Sequence, residues 1–155
     1  MRELHPGESF YCYALYTDAC ATYILPTCCS EEGLRRTAGA APAAEVRWSP
    51  PDWPCHLLGE EHFHDVLELL DSRGDPWQRD EDAFDAEVGA RFEACFRALA
   101  VLDAEGVFGR GAAREQVIVT VLQGDQSNRS RLDNARRLNP PPAFARLERD
   151  LRPRT

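Results

Sequence analysis

The chain has 155 residues, 43% of them hydrophobic and 28% charged, with a formal net charge of -8. This length and composition predict a single globular domain over residues 1–155, and the acidic excess argues against nucleic acid, whose phosphates require a basic surface. All 18 basic residues are arginine, which excludes Schiff-base chemistry on lysine and a phosphate-binding loop that depends on lysine.

The first third of the chain predicts a β-hairpin, a short helix and a third strand. FYCYALYTD (10–18) and ATYILPT (21–27) have the aromatic, alternating pattern of two paired strands. Ser30 precedes two glutamates, a typical helix start, and Gly39 predicts where this helix ends. EVRWS (45–49) is predicted as a third strand, which ends at the two prolines that follow it.

Two amphipathic helices are predicted in the middle of the chain. Residues 60–74 have one apolar helical face, stopped by a glycine and a proline; the face comprises Phe63, Val66, Leu67 and Leu70. A longer helix is predicted from Asp82 to Asp103. Its apolar face comprises Phe84, Val88, Phe92, Cys95, Phe96, Leu99 and Leu102.

The last third predicts one strand and two helices. QVIVTVLQ (116–123) is apolar on both faces and β-branched, as expected of a central strand that is covered on each side or of a strand packed deep against helices. Residues 128–138 and 143–151 are predicted as helices, with Pro142 suited to the start of the second. The element order lacks the regular alternation of a doubly wound sheet, so the predicted class is α+β: a single domain whose mainly antiparallel or mixed sheet of about four strands packs against helices.

The cellular location is expected to be the cytosol. Glu3 and Glu8 interrupt any secretory signal, and no run approaches the roughly 18 apolar residues that a membrane span needs, so no membrane contact is predicted. Cytosolic thiols stay reduced, and we therefore expect free cysteines that serve as packing residues. They are Cys12, Cys20, Cys28, Cys29, Cys55 and Cys95.

Six stretches resemble a known family in order and spacing: FYCYALYTD, EEGL, RWSPPDW, EEHFHDVLELLD, LDAEGVFG and GDQSNRSRLDNARRLNPP. The family is the bacterial domain of unknown function 4303, and the resemblance covers residues 8–147. GDQS…RRLNPP after an apolar strand is the most specific element. The resemblance implies a compact cytoplasmic α+β domain of bacteria and brings no catalytic residue, substrate or cofactor. The cysteines in PTCC and PCH depart from the family pattern.

No metal site, cofactor or catalytic residue is predicted. Adjacent Cys28 and Cys29 would point apart in a strand, and His62 and His64 would diverge on a helix, so the spacing does not suit zinc. The chain has neither a glycine-flanked serine elbow nor a catalytic cysteine signature, which argues against an enzyme. The glycines of LDAEGVFGRG are expected to end the long helix and turn the chain rather than to hold phosphate.

Two loops are candidate binding sites. RWSPPDW (47–53) either covers the core or forms an aromatic recognition surface, since Trp and Arg dominate binding hot spots. GDQSNRS (124–130) leaves the end of a strand, where ligand contacts often gather. The candidate residues are Arg47, Trp48, Asp52, Trp53, Asp125 and Ser127.

Charge patterning identifies a third candidate. Residues 59–105 contain 14 acids and four arginines, a net charge of -10, whereas residues 106–155 carry a net charge of +5. This segment is interpreted either as ordinary solvated helix surface or as an acidic interaction face that steers a basic partner, with Glu60, Glu61 and Asp65 as candidates.

The leading functional hypothesis is a non-enzymatic protein-interaction module, of the immunity type that neutralises a toxin, with a basic protein as its partner. The alternative is a small-molecule-binding or hydrolytic domain with a polar pocket around the RWSPPDW and GDQS loops. A deep pocket that joins Arg47, Asp52, Asp125 and Ser127 would favour the alternative, and a flat acidic face would favour the interaction module. The oligomeric state stays open.

Overall fold

The computed structural model describes residues 4–38 and 46–152. Short 3-10 helices connect several of the main elements, at Pro50–Asp52, Glu60–Phe63, Pro76–Gln78 and Gly111–Gln116. None of the helices in the two described ranges has the length and apolar character that crossing a membrane requires. The strands and α-helices are β1 (Phe10–Thr17), β2 (Leu25–Ser30), α1 (Glu31–Ala38), β3 (Cys55–His56), α2 (His64–Arg73), α3 (Glu81–Glu105), β4 (Ile118–Gln123), α4 (Asn128–Arg136) and α5 (Pro141–Leu151).

The four strands form one mixed sheet in the order β3-β2-β1-β4. β1 and β2 form the predicted antiparallel hairpin, and β3 continues the sheet antiparallel to β2. β4 lies parallel to β1, with Ile118 opposite Cys12. The predicted α+β class with a mixed four-stranded sheet is confirmed.

The predicted third strand at residues 45–49 is wrong. Glu45 lies outside the described residues, and Arg47 and Trp48 lie in a turn closed by a hydrogen bond from the Ser49 amide to the Val46 carbonyl, at 3.2 Å. The two prolines then begin a 3-10 helix, which their fixed φ favours. The third strand is instead the two-residue β3, whose Cys55 pairs with Cys28.

β4 lies at an edge of the sheet, so of the two predicted alternatives the central position is wrong and the packing deep against helices is confirmed. Ile118 and Leu122 face one apolar cluster, which also contains Tyr11, Trp48, Trp53, Leu34, Ala143 and Leu147. Val119 and Val121 face the opposite cluster, which also contains Leu70, Cys95, Phe96, Leu99 and Phe108. Side-chain amides bond to the outer edge of β4, for example from Asn134 to the Val121 carbonyl at 3.0 Å.

The long helix α3 is confirmed and extends slightly beyond its predicted ends. Asp80 caps its first turn by accepting a hydrogen bond from the Ala83 amide at 2.9 Å, and Gly106 ends it in the left-handed conformation. Leu102, predicted as buried, is exposed. The first half of the helix instead buries an ion pair, Glu87 and Arg91, which the apolar pattern did not predict.

Candidate functional site

Arg47 lies in an ion-pair network that joins three elements. Its Nη1 and Nη2 both donate to the Glu31 carboxylate, at 2.9 and 2.6 Å, and its Nε donates to Asp150 at 3.1 Å. The guanidinium also lies 4.1 Å from the ring centroid of Tyr11, whose hydroxyl donates to the Arg47 carbonyl. Arg47 therefore ties β1, α1 and α5 together.

This network shifts the pKa of both main partners. Burial lowers the pKa of Arg47, but its hydrogen bonds to Glu31 and the nearby charges of Glu31 and Asp150 together outweigh that effect and raise the pKa. The same bonds lower the pKa of Glu31. Both groups are thus charged at neutral pH, and two carboxylates already neutralise the guanidinium.

The two tryptophans of RWSPPDW lie in the core. Trp48 and Trp53 are 6% and 4% exposed, and both pack edge-on against Tyr11. The indole of Trp53 donates to the Val46 carbonyl at 3.1 Å. Asp52 is exposed at the end of the 3-10 helix. Solvent therefore reaches this stretch mainly at Pro51 and Asp52, and to a smaller extent at Arg47 and Ser49, rather than at the indole rings.

A cavity of about 510 Å³ lies beside the Arg47 network. Glu31, Tyr11 and Gln116 contribute to its lining, together with the half-buried Arg146. Burial and the nearby charge of Arg47 lower the pKa of Arg146, which donates to the side-chain and backbone oxygens of Gln116. The cavity walls thus carry both charge signs.

The GDQS loop begins helix α4. Ser127 caps this helix by accepting a hydrogen bond from the Ser130 amide at 3.2 Å, and Asp125 lies exposed in the preceding turn. Gln126 between them is buried; its amide donates to Ser130 Oγ at 3.0 Å and accepts from the Gln123 amide at 3.4 Å. The sequence did not indicate that Gln126 is buried, because the residues around it are hydrophilic.

The two candidate loops are connected through hydrogen bonds of other residues, and the cavity of about 510 Å³ beside Arg47 is not lined by the GDQS loop. Asp150, which bonds to Arg47, precedes Leu151, whose carbonyl accepts from Asn128 at 3.2 Å. A second connection runs through His56, whose amide donates to the Trp53 carbonyl at 3.0 Å and whose ring packs edge-on against Tyr16, with 4.8 Å between centroids. In turn, the Tyr16 hydroxyl lies 3.3 Å from the position that a Cβ at Gly124 would occupy.

The acidic face is exposed along α2 and the 3-10 helix before it. Glu60, Glu61 and Asp65 all lie at the surface, and Glu68 and Asp71 continue the row along the helix. The ion-pair partners on this face are two exposed histidines, His62 beside Glu61 and His64 beside Glu68. No arginine of the described residues lies within ion-pair distance of these carboxylates.

An exposed aromatic residue that the sequence analysis missed stands at the end of this face. Trp77 is 68% exposed, and its ring packs against Phe84 with 4.8 Å between centroids. Asp75 accepts a hydrogen bond from the Trp77 amide at 3.0 Å. A cavity of about 270 Å³, lined by Asp71, Asp75 and Trp77 among others, adjoins the ring. Trp77 lies in a short Pro-containing connection with no periodic pattern.

The six cysteines are free and buried, which confirms their predicted role as packing residues. Burial raises the pKa of Cys29 and of Cys95 to about 11. Within residues 4–38 and 46–152, no group of three or more potential ligand side chains is placed to hold a metal ion.

These features define an α+β domain with a mixed four-stranded sheet, a charged network at RWSPPDW and an acidic surface that ends at an exposed tryptophan. The chain belongs to the family described as domain of unknown function (DUF4303), whose model matches residues 1–140. The expected membership is thus confirmed. No curated protein and no solved structure shows a significant match to the chain.

Proposed function

We propose that the protein is a non-enzymatic interaction module, of the immunity type, that binds a basic protein toxin through its acidic face and Trp77. The observation that carries this proposal is the exposed Trp77, packed on Phe84 at the end of an acidic surface. An aromatic ring already supported from behind loses little conformational freedom on binding, and tryptophan is enriched among binding hot spots. We place the protein in the cytosol, where its six free, buried cysteines would stay reduced.

The chemistry around Trp77 matches a basic side chain. An arginine or lysine of the partner stacks on the indole face, a contact that contributes about 0.5–2 kcal/mol. Asp71 and Asp75, which line the adjoining cavity, then lie beside the cation. The carboxylates along α2 act at longer range and accelerate encounter with the basic surface. The tryptophan thus contributes affinity and the acidic face contributes association rate.

The experiment first captures basic proteins from the native cytosol and identifies them by mass spectrometry. The association and dissociation rates of the captured partner are then measured at about 0.01 M and about 0.15 M salt, between which the Debye length falls from about 30 to about 8 Å. Trp77→Ala is expected to speed dissociation and to weaken binding by tenfold or more. Charge reversal of Glu60, Glu61 and Asp65 to arginine is expected to slow association, most at low salt.

A matched control variant separates the effect of the acidic face on the association rate from the effect of net charge. Reversal of Glu105, Glu115 and Asp133, three exposed acids elsewhere, changes the net charge equally and should leave the association rate much less affected. An association rate that responds equally to both triple variants, or to neither, contradicts the acidic-face proposal. The immunity role predicts further that the captured partner arrests growth when expressed alone and not when co-expressed with this protein.

A second candidate function, small-molecule binding or hydrolysis, is favoured by one observation: the cavity of about 510 Å³ beside the Arg47 network has the size of a ligand site. This cavity borders RWSPPDW through Arg47's partners Tyr11 and Glu31. Ligands that raise the melting temperature of the wild type but not of Arg146→Gln would support this second function.

A further inference from the structure

Three arginines line one cleft at the C-terminal end of α3. Arg110 comes from the loop after the helix, Arg114 from the following 3-10 helix and Arg137 from the end of α4. The cleft has a volume of about 500 Å³, and Ala100, Ala104 and Leu138 provide its apolar wall. The chain as a whole is acidic, so this convergence of cations is a local reversal of charge.

The charge of the cleft is positive because its one lining carboxylate is already paired. Asp103 accepts from the Nε of Arg114 at 2.6 Å. Arg114 is itself only 7% exposed, and its other nitrogens donate to the carbonyls of Val117 and Leu138, at 2.7 and 2.9 Å. Arg114 is thus a fixed guanidinium in the cleft wall, Arg137 is paired with Glu93, and Arg110 supplies the excess charge.

The two remaining arginines are accessible to solvent, and only Arg137 has a carboxylate partner among the described residues. Arg110 donates to the backbone carbonyl of Glu105 at 2.7 Å, and no carboxylate of the described residues lies within ion-pair distance of it. Arg137 pairs at 2.7 Å with Glu93, but both side chains are exposed, and such surface pairs contribute little. The Arg137 guanidinium also stacks 3.7 Å from the centroid of the Phe96 ring, which fixes its position.

Two glycines keep the mouth of the cleft open. Gly109 and Gly111 both have positive φ, 113° and 53°. At Gly109 an added Cβ would lie 3.3 Å from the amide nitrogen of Arg114, whereas at Gly111 it would meet nothing within 4 Å. The backbone beside the arginines is therefore free of side chains.

We propose that this cleft binds a small phosphorylated molecule, with the phosphate between Arg110 and Arg137. Guanidinium groups match the oxygens of phosphate in paired, charge-assisted hydrogen bonds: Arg110 offers an unpaired charge, and Arg137 exchanges its exposed pair with Glu93 for the phosphate. The apolar wall contacts the rest of the molecule, and the cleft volume lies in the range of small-molecule sites.

This site is distinct from the acidic face. Phe84, which supports Trp77, lies near the start of α3, and Ala104 lies near its end. At 1.5 Å per residue the two ends are about 30 Å apart along the helix. Phosphate binding and partner binding can therefore be tested separately, and either can fail without the other.

The test uses pyrophosphate as the probe, titrated at constant ionic strength and followed by the backbone amide resonances. The expected result is saturable binding with the largest shifts at residues 109–111, and chloride should give none. Arg110→Gln and Arg137→Gln should each weaken binding about tenfold, the usual scale for a charge-assisted hydrogen bond. Arg97→Gln, an exposed arginine of α3 outside the cleft lining, should change it less than twofold.

A second pair of variants tests the charge without touching the arginines. Asn and Asp both tolerate the left-handed conformation, so Gly111→Asn and Gly111→Asp should both fold. The added carboxylate of Gly111→Asp should weaken pyrophosphate binding about tenfold relative to the amide of Gly111→Asn. Shifts that do not saturate, or affinities that are equal across all of these variants, would overturn the proposal.

Discussion

The side-chain amide of Asn139 bonds to both backbone groups of Val119. Its Nδ2 donates to the Val119 carbonyl at 2.6 Å, and its Oδ1 accepts from the Val119 amide at 2.8 Å. One asparagine thus replaces the neighbouring strand that the edge strand β4 lacks. Asn134 and Gln126 bond to the same edge further along, at Val121 and Gln123. The GDQS…RRLNPP motif therefore has a structural role, because its amide side chains satisfy an otherwise open sheet edge.

Replacing Asn139 should destabilise the fold. Asn139→Ala leaves the amide and the carbonyl of buried Val119 without partners, and unpaired buried groups of this kind cost about 1–3 kcal/mol each. We expect a loss of about 3 kcal/mol in the free energy of unfolding, measured by urea denaturation. Asn128→Ala, which removes one exposed hydrogen bond to Leu151, should cost less than about 1 kcal/mol. Equal losses for the two variants would mean that Asn139 does not satisfy the edge.

Trp53 and Trp77 should have different roles: Trp53 should stabilise the fold, and Trp77 should contribute to partner binding. Trp53→Ala removes a buried indole and its hydrogen bond to Val46, so we expect a loss of about 3–5 kcal/mol in unfolding free energy. Trp77→Ala removes a mostly exposed ring and should cost less than about 1 kcal/mol, since it leaves no buried cavity. Thermal unfolding of both variants checks this. A large loss for Trp77→Ala would place its role in folding instead of binding.

Periodicity in the sequence predicted most of the helices and the hairpin, since an apolar stripe identifies which face is buried without any knowledge of its neighbour. The position of β4 could not be predicted in the same way. A strand covered on both faces has the same composition at an edge as at the centre, and the side-chain amides that satisfy its open side, such as that of Asn139, come from later in the chain. The strand expected at residues 45–49 failed because alternation over five residues does not distinguish a strand from a tight turn.

The candidate site was less predictable than the fold. Arg47 was identified by its unusual surroundings, but its partners Glu31 and Asp150 lie 16 and 103 positions away, so the sequence did not indicate that its charge is neutralised. Whether an aromatic side chain is exposed likewise depends on how distant parts of the chain pack, which the local sequence does not indicate. RWSPPDW and the connection at Trp77 both combine tryptophan with proline, yet only the second presents its ring to solvent.

The buried thiols should be unreactive in the native protein. Thiolate is the nucleophilic form, and burial raises the pKa of Cys29 and of Cys95 to about 11, so at pH 8 little thiolate forms. We expect slow reaction with Ellman's reagent in the folded state and reaction of all six cysteines after unfolding in denaturant. Fast reaction of several thiols in the native protein, or stoichiometric zinc by elemental analysis, would contradict a pure packing role.

Glu87 joins two helices through a buried ion pair. It accepts from Arg73 at 2.6 Å and from Arg91 at 2.8 Å, and Arg91 also donates to the carbonyls of Ala21 and Gly74. The hydrogen bonds from Arg73 and Arg91 lower the pKa of Glu87 to about 2. A glutamate in the unfolded chain has a pKa of about 4.3. The folded state therefore holds the deprotonated form more strongly than the unfolded state does.

This difference predicts how acid destabilises the protein. Because the folded pKa is the lower one, the stabilisation by Glu87 is fully present above about pH 4.5 and is lost as the pH falls towards 2. Glu87→Gln should lower the unfolding free energy by about 3 kcal/mol at pH 7, the scale for breaking a buried ion pair, and by progressively less between pH 4.5 and 2. Glu81→Gln, at an exposed position of the same helix, should have little effect at any pH. Denaturation curves for wild type and both variants across this range check the prediction.

Hydrogen bonds also lower the pKa of Glu8 and Glu31, so some acid dependence should remain in Glu87→Gln. A constant gap between wild type and Glu87→Gln from pH 7 to pH 2 would mean that the side chain acts through packing and not through its charge.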